Sequence, residues 1–266
     1  MRFSNLHTHT VFSDGIHTPR ENVEAAVSKG MLSIGFSDHS YTACDESYCM
    51  MLHDYEKYIT ELSALRAEFR NTLPIYIGVE QDYCSERGDY GFDYTIGSVH
   101  YVKSKGRYYA IDHMAEIQQE CIRDGFGGSA MDMVRSYYDA VVDHAYLTRP
   151  DIIGHFDVIT KFGIVPEESD EYMRVATDAL RETVKYCKVF EVNTGAISRG
   201  YRKMPYPAQP LLCELHKLGA EITITSDSHN REYLDSSFEL AVKCAKDAGY
   251  SSVKMFTEAG FENVDI

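Results

Sequence analysis

The sequence contains no tryptophan, no long apolar run and few basic residues relative to its acidic ones. All apolar runs are far shorter than the roughly 20 residues that cross a bilayer, and residues 1–6 do not form an apolar signal region. We therefore expect a soluble, cytoplasmic protein. With 26 basic and 41 acidic residues, its net charge of −15 would repel a nucleic acid polymer unless metal ions reversed the sign locally. The expected partner is a small molecule, and a homo-oligomer stays open.

Cysteine pairs of the CxxC type are also missing, although the chain has seven cysteines. Their absence argues against a zinc ribbon or a dithiol redox motif. We expect most of the thiols to be reduced core residues. Cys44 and Cys49 are close together in a loop-like stretch, so a ligand-binding role for this pair stays open. The chain also lacks the GxSxG signature of a serine nucleophile.

The sequence does contain an alternation of short apolar runs and amphipathic helix patterns. Strands are predicted at 2–6, 32–36, 75–79, 94–99, 152–153, 189–192 and 221–225. Helices are predicted at 19–29, 55–69, in two stretches of 114–146 separated by the glycines of 125–128, and at 171–186, 210–217 and 236–248. This alternation is typical of a parallel α/β fold. With 266 residues and 44% hydrophobic content, we expect one barrel domain spanning residues 1–266.

Each predicted strand ends in residues that suit metal binding or substrate contact. In chain order they are His7-Thr8-His9, Asp38-His39, Glu80, Ser98-Val99-His100, Gly154-His155, Glu191-Val192-Asn193 and Ser226-Asp227-Ser228-His229. The strands of a (β/α) barrel deliver such side chains to one rim. Because alternate residues of a strand face the same side, both imidazoles of the HxH motif can reach one ion.

These side chains share one donor chemistry. Imidazole nitrogens and carboxylate oxygens suit Zn²⁺, Mn²⁺ or Fe²⁺, whereas the absence of cysteine from the set argues against a thiolate structural zinc site. More such groups are present than one ion needs: the candidate ligands are His7, His9, Asp14, His39, Glu80, His100, His155, Asp227 and His229. A carboxylate such as Glu80 can bridge two metals, so the pattern predicts two or three divalent ions.

The ordered set HxH, SDG, SDH, E, SVH, GH and SDSH resembles the PHP family, the polymerase and histidinol phosphatase superfamily of metal-dependent phosphoesterases. The resemblance runs from His7 to His229, almost the whole chain. It implies a distorted (β/α)7 barrel, similar to a TIM barrel, with the metal site at the C-terminal ends of the strands.

The resemblance also implies a grouping of the ligands. One metal would be held by His7, His9, Glu80 and Asp227, with Glu80 shared by a second metal at His100 and His155. A third ion would lie among Asp14, His39 and His229. Asp14 belongs to the SDG form of the motif, but some family members place a histidine near here, and His17 is three residues away.

Within the family, the chain resembles most closely the histidinol-phosphate phosphatases. The similarity lies in its length and in Gly154-His155-Phe156-Asp157, Glu191-Val192-Asn193-Thr194-Gly195 and Pro205-Tyr206-Pro207. It implies hydrolysis of L-histidinol phosphate to L-histidinol and phosphate, in histidine biosynthesis, by a hydroxide that the metals activate. Two alternatives stay open: a phosphoesterase for another small ester, such as a nucleotide or a sugar phosphate, and a non-catalytic metal-binding barrel.

Roles around the substrate follow from the same resemblance. Arg199, in the loop after a barrel strand, is the first candidate for the phosphate-binding cation, and Arg202 competes with it. Lys161 and His17 are further substrate-binding candidates, each with a surface role as the alternative. Protonation of the leaving alkoxide falls to Asp227 or His229, and Glu80 completes the predicted catalytic residues.

Overall fold

The chain forms a nearly closed barrel of seven parallel strands, and the computed structural model describes residues 3–85, 88 and 90–266. The strands, in the order in which they lie side by side, are β1 (Ser4–Asn5), β2 (Ser33–Phe36), β3 (Ile75–Asp82), β4 (Tyr94–Ser98), β7 (Ile152–Ile153), β8 (Val189–Asn193) and β9 (Glu221–Thr225). Their spatial order follows the chain order, as in a (β/α) barrel. The predicted seven-stranded, TIM-barrel-like fold is confirmed.

The last gap of the barrel, between the residues after β1 and those after β9, is closed by two backbone hydrogen bonds. The His9 amide donates to the Ser228 carbonyl over 2.9 Å, and the Ser228 amide donates to the His7 carbonyl over 3.1 Å. These bonds bring the first and last predicted metal-binding motifs of the sequence next to each other on the carboxyl-terminal rim.

Helices surround the barrel. They are α1 (Pro19–Ser28), α2 (Tyr55–Phe69), α3 (Ala115–Glu120), α4 (Ala130–Thr148), α5 (Asp170–Thr183), α6 (Gly195–Ser198), α7 (Gln209–Lys217) and α8 (Phe238–Asp247). The predicted start of α1 is confirmed, because Pro19 is its first residue and Thr18 and Glu21 form a capping box. None of the helices in the described ranges is both long and apolar enough to span a bilayer.

Two β-hairpins lie outside the barrel and do not follow from the predicted strands. One pairs β5 (Tyr101–Ser104) with β6 (Arg107–Ala110). The other pairs β10 (Ser252–Thr257) with β11 (Gly260–Asp265). Part of the first predicted strand, residue 2, lies outside the described residues.

The carboxyl-terminal hairpin seals the barrel at the end opposite the rim. Phe256 lies 5.0 Å from Tyr76 and 5.6 Å from Tyr94 between ring centroids, and Phe261 packs behind it. Inside the barrel, the Tyr94 hydroxyl donates to the carbonyls of Leu6 and Phe36. The barrel interior is therefore a packed core below the rim, and the rim is free for function.

We expect Tyr94→Phe to destabilise the barrel by about 1–3 kcal/mol, because two buried carbonyls lose a shared donor. The measurement is the free energy of unfolding in urea. Tyr146→Phe is the control: Tyr146 is 53% exposed, and its loss of a hydroxyl should change stability by no more than about 0.5 kcal/mol. Equal effects of the two substitutions would contradict the role given to Tyr94.

Candidate metal centre

The nine predicted metal donors reach the carboxyl-terminal rim of the barrel. His7 and His9 follow β1, His39 follows β2, Glu80 lies in β3, His100 follows β4, His155 follows β7, Asp227 and His229 follow β9, and Asp14 lies in the loop after β1. A cleft of about 320 Å³ opens above them, and six of the nine line its wall. The structure thus brings together residues that are as far apart in the sequence as His7 and His229.

A first donor group surrounds one oxygen of Glu80. The Oε2 atom of Glu80 lies 3.2 Å from His7 Nε2 and 3.6 Å from His9 Nε2. Asp227 Oδ1 faces the same nitrogens, at 3.7 Å from His7 and 3.3 Å from His9. These are the four residues that the family resemblance groups around one metal.

A second donor group surrounds the other oxygen of Glu80. The Oε1 atom lies 3.0 Å from His155 Nε2 and 3.4 Å from His100 Nε2, and the two imidazole nitrogens are 3.3 Å apart. The two oxygens of Glu80 therefore face different sets of histidines. This is the arrangement that a bridging carboxylate requires.

A third donor group lies around Asp14, nearer the cleft mouth. Its Oδ1 atom is 3.2 Å from His229 Nε2, 3.6 Å from His39 Nε2 and 3.9 Å from His9 Nδ1. His9 thus has one ring nitrogen in the first group and the other beside the third. His39 is shared in the same way, because its Nδ1 lies 2.8 Å from Glu80 Oε2. His9 and His39 therefore each contact two donor groups, whereas the family resemblance assigns each of them to one.

Buried polar atoms at the centre lack the hydrogen bonds that burial normally requires. In the described part of the chain, His7 Nε2, both ring nitrogens of His9, His39 Nδ1 and Glu80 Oε2 are inaccessible to solvent and have no hydrogen-bond partner. Unpaired buried acceptors are costly, whereas imidazole lone pairs and carboxylate oxygens that face one another suit a divalent cation. The residues present fit a metal cluster.

Two further carboxylates orient the imidazoles: the sequence places Glu191 at a strand end without assigning it a role, and it does not single out Asp82. Glu191 Oε1 lies 2.6 Å from His7 Nδ1, and Asp82 Oδ2 lies 2.9 Å from His100 Nδ1. If each imidazole carries its proton on Nδ1, it donates to the carboxylate and directs the Nε2 lone pair at Glu80. Asp82 had a detectable signal, because it is two residues from Glu80 on the same face of β3.

The protonation states follow from this crowding. Burial, with the neighbouring His229 and His39, lowers the pKa of His9 to about 3, so its ring is neutral at pH 7. Burial alone would lower the pKa of His7, but Glu191, Glu80 and Asp227 raise it well above its usual value. Conversely, burial opposes ionisation of Glu80, yet the surrounding histidines hold its pKa well below the usual range.

The loop that carries Asp14 is fixed by Asp38. The Asp38 carboxylate accepts hydrogen bonds from the Thr10 amide at 2.7 Å, the Ser13 amide at 3.1 Å and the Ser13 hydroxyl at 2.6 Å. Burial raises the pKa of Asp38 to about 6, and these donated bonds limit the rise. Asp38 is thus a structural support for the third donor group.

The predicted substrate-binding residues divide into two that line the cleft and two that do not. Arg199 lines it and donates to Asp227 Oδ2 at 2.8 Å and to the Asp227 carbonyl at 2.9 Å. Lys161 also lines it, with Nζ 3.6 Å from Asp112 Oδ2. Only a glycine fits at position 195, because a Cβ there would lie 2.8 Å from the Ser226 carbonyl oxygen and 2.9 Å from the Arg199 guanidinium.

Arg202 and His17 are not among the residues that line the cleft. Arg202 donates to the Thr160 carbonyl at 2.9 Å and to Glu167 Oε2 at 3.0 Å. His17 accepts a long hydrogen bond from the Arg231 amide at 3.4 Å. Of the four candidates, Arg199 and Lys161 are thus the two in the cleft wall.

A parallel barrel with clustered imidazoles and carboxylates at its carboxyl-terminal rim defines a class of metal-dependent hydrolases. Residues 5–195 match the model of the PHP domain family. The chain belongs to the PHP domain family.

Relatives and solved structures extend the similarity to the rest of the chain. A Deinococcus radiodurans protein described as a probable histidinol-phosphatase is 31% identical over 263 residues, which cover 94% of each chain. The histidinol-phosphatase of Bacillus subtilis is 27% identical over 88% of this chain and 96% of its own. The crystal structure of Lactococcus lactis histidinol phosphate phosphatase with zinc, L-histidinol and phosphate matches with a TM-score of 0.73 and 22% identity, over 98% of this chain and 99% of its own.

We expect removal of divalent ions by a chelator to lower the melting temperature, because the facing donors lose the cation that offsets their mutual cost. An ion present at a thousandfold its Kd contributes about 4 kcal/mol, which for a chain of this size is on the order of 10 °C. The measurement is the melting temperature with zinc and with chelator. Glu80→Gln should abolish most of the difference, and Glu239→Gln, an exposed control in α8, should preserve it.

Proposed function

We propose that this protein is a metal-dependent phosphomonoesterase that hydrolyses L-histidinol phosphate to L-histidinol and phosphate. The observation that carries the proposal is the pair of donor sets on the two oxygens of Glu80, at the base of a cleft with Arg199 in its wall. The names of the curated relatives, and the ligands of the Lactococcus lactis structure, support histidinol phosphate as the substrate.

Two or three divalent ions would be held by the three donor groups. Divalent ions bound there supply positive charge for the phosphate oxygens and lower the pKa of water, so that hydroxide is available at neutral pH. The nitrogen and oxygen donors accept zinc, manganese or iron, and zinc is the ion of the Lactococcus lactis structure. Glu191 and Asp82 keep the imidazoles His7 and His100 turned towards the ions.

The phosphate group would be held against the metal donors by Arg199 and Lys161. A guanidinium can bind two phosphate oxygens at once, whereas a lysine offers a point charge. Arg199 is already oriented by Asp227, so little side-chain freedom is lost when an ester binds. Lys161 is similarly restrained, since its Nζ donates to the Asp112 carbonyl at 2.6 Å.

The leaving alkoxide needs a proton, and we assign its delivery to His229 rather than Asp227. Although burial opposes ionisation, Arg199 and His7 hold the pKa of Asp227 well below its usual range, so this carboxyl carries no proton at neutral pH. The side chain of His229 is 25% exposed and lines the cleft. Because one nitrogen cannot hold an ion and a proton together, this role belongs to the enzyme with two ions, in which the third donor group holds none and His229 Nε2 is free.

Steady-state kinetics with zinc or manganese test the proposal. The panel holds histidinol phosphate, nucleoside monophosphates and sugar phosphates. We expect the highest kcat/KM for histidinol phosphate, because the curated relatives are named for this activity. A nucleotide or sugar phosphate that ranked far above it would remove the substrate assignment but keep the phosphoesterase, and no hydrolysis by the metal-loaded protein would remove both.

A second prediction separates the two arginines of the loop after β8. Arg199→Lys keeps the charge but loses the planar pair of donors, so KM should rise roughly tenfold while kcat changes less. Arg202→Lys is the matched control, because Arg202 lies outside the cleft lining, and its KM should stay within about twofold of the unmodified enzyme. The reverse pattern would assign phosphate capture to Arg202.

A further inference from the structure

One acidic side chain in the cleft wall makes no salt bridge with any described residue. Asp45 lies in the loop after β2 and lines the same cleft as the metal donors. Among the described residues, no lysine, arginine or histidine nitrogen lies within 4.0 Å of its carboxylate. The other acidic residue of the wall beyond the metal donors, Asp112, differs in this respect because Lys161 accompanies it. Asp45 is therefore the carboxylate of this wall that makes no salt bridge, although His113, which also lines the cleft, helps to lower its pKa.

Asp45 is held in a defined orientation. Its Oδ2 accepts a hydrogen bond from the Tyr101 hydroxyl at 3.0 Å, and its Oδ1 accepts from the Ser47 hydroxyl at 2.6 Å and the Ser47 amide at 3.1 Å. Although partial burial opposes it, these donors lower the pKa of Asp45, so the side chain is ionised at neutral pH. Tyr101 belongs to β5 and is 6% exposed, which makes it a rigid support.

The wall around Asp45 is aromatic and continues to the metal donors. The rings of Tyr48 and Tyr101 lie 6.0 Å apart, and Tyr48 packs edge to face against His39 at 4.8 Å. Tyrosine faces attract cations through the ring quadrupole. A ligand that binds at His39 can therefore extend along Tyr48 and Tyr101 to Asp45.

An ionised carboxylate in a cleft that binds phosphate esters has an electrostatic cost. It repels the anionic end of the ester, and no lysine, arginine or histidine in the described part of the chain forms a salt bridge with it. That cost becomes a gain if the alcohol end of the ester carries a positive charge. The wall then discriminates between phosphate esters by the charge of the alcohol rather than by its size.

We propose that Asp45, oriented by Tyr101, is a specificity-determining residue that selects phosphate monoesters whose alcohol carries a cationic group. This inference rests on the proposed function and deepens it, since the amine of histidinol is charged at neutral pH. The metal donors and Arg199 bind the phosphate, and Asp45 binds the ammonium at the other end of the same molecule.

Two pairs of esters, each differing in one positive charge, test the inference on the metal-loaded enzyme. The first pair is histidinol phosphate and its analogue with hydrogen in place of the amine. The second is phosphoethanolamine and ethylene glycol monophosphate. Asp45→Asn should lower kcat/KM roughly tenfold or more for the charged member of each pair and leave the uncharged member within about twofold, as expected for loss of a charged hydrogen bond.

Glu46→Gln is the matched control, because it removes the same charge from the adjacent residue. Glu46 is exposed, accepts a hydrogen bond from the Tyr41 hydroxyl at 2.6 Å and does not line the cleft. It should leave both ester ratios unchanged. An equal change of the ratios in Glu46→Gln would attribute the selectivity to the overall field of the loop and would overturn the assignment to Asp45.

Tyr101→Phe keeps the inference testable if Asp45→Asn does not fold. It removes only the hydroxyl that orients Asp45, so we expect a smaller loss with the same selectivity, and unchanged metal content by elemental analysis. Loss of activity on both members of a pair would contradict the inference.

Failure of the inference and failure of the proposed function give different results. If histidinol phosphate is the best substrate but Asp45→Asn lowers both members of each pair equally, only the role of Asp45 fails. If another ester is preferred while the phosphoethanolamine pair still depends on Asp45, the inference stands and the assignment of histidinol phosphate fails.

Discussion

The structure depends on the convergence of electron-pair donors around one buried carboxylate. Glu80 is 1% exposed, and five imidazoles have a ring nitrogen within 3.6 Å of its oxygens. They are His7, His9, His39, His100 and His155. In a dry interior such a set is unfavourable by itself, because several of its buried nitrogen and oxygen atoms have no hydrogen-bond partner among the described residues. The fold must therefore hold the donors in place until cations offset that cost.

Several features of the chain provide this support. At the rim itself, the barrel is closed by the backbone hydrogen bonds of His7 and His9 with Ser228. Asp227 adopts a φ of +46°, a left-handed conformation uncommon for residues other than glycine, and Arg199 holds its carboxylate. Glu191 and Asp82 orient the imidazoles of His7 and His100 through hydrogen bonds at their Nδ1 atoms. The backbone of the rim and these supporting contacts together set the distances between the donor atoms, and so the spacing at which an ion would be shared.

Much of the fold and the donor set could be predicted because both depend on local sequence patterns. Parallel strands bring their carboxyl ends to one rim, so residues that follow seven apolar runs had to meet there. Asp82 follows the same alternation but was not predicted, and the two hairpins give weaker patterns than the barrel strands. Arg199 and Arg202 could not be separated, since only the course of the loop after α6 turns one into the cleft and the other towards Thr160. The orientation of the Asp45 side chain could not be predicted either, because it depends on a hydrogen bond from Tyr101, which is 56 residues away in the sequence.

The organisation of residues 1–266 as one domain and the cytoplasmic location stay predictions.

The bridging role of Glu80 between two metal positions is tested most directly by a crystal structure of the manganese-loaded protein with anomalous diffraction data. We expect one anomalous peak between Glu80 Oε2 and the ring nitrogens of His7 and His9, and a second between Glu80 Oε1 and those of His100 and His155. A single peak remote from Glu80, or a fully loaded protein in which Glu80 contacts one ion only, would contradict it.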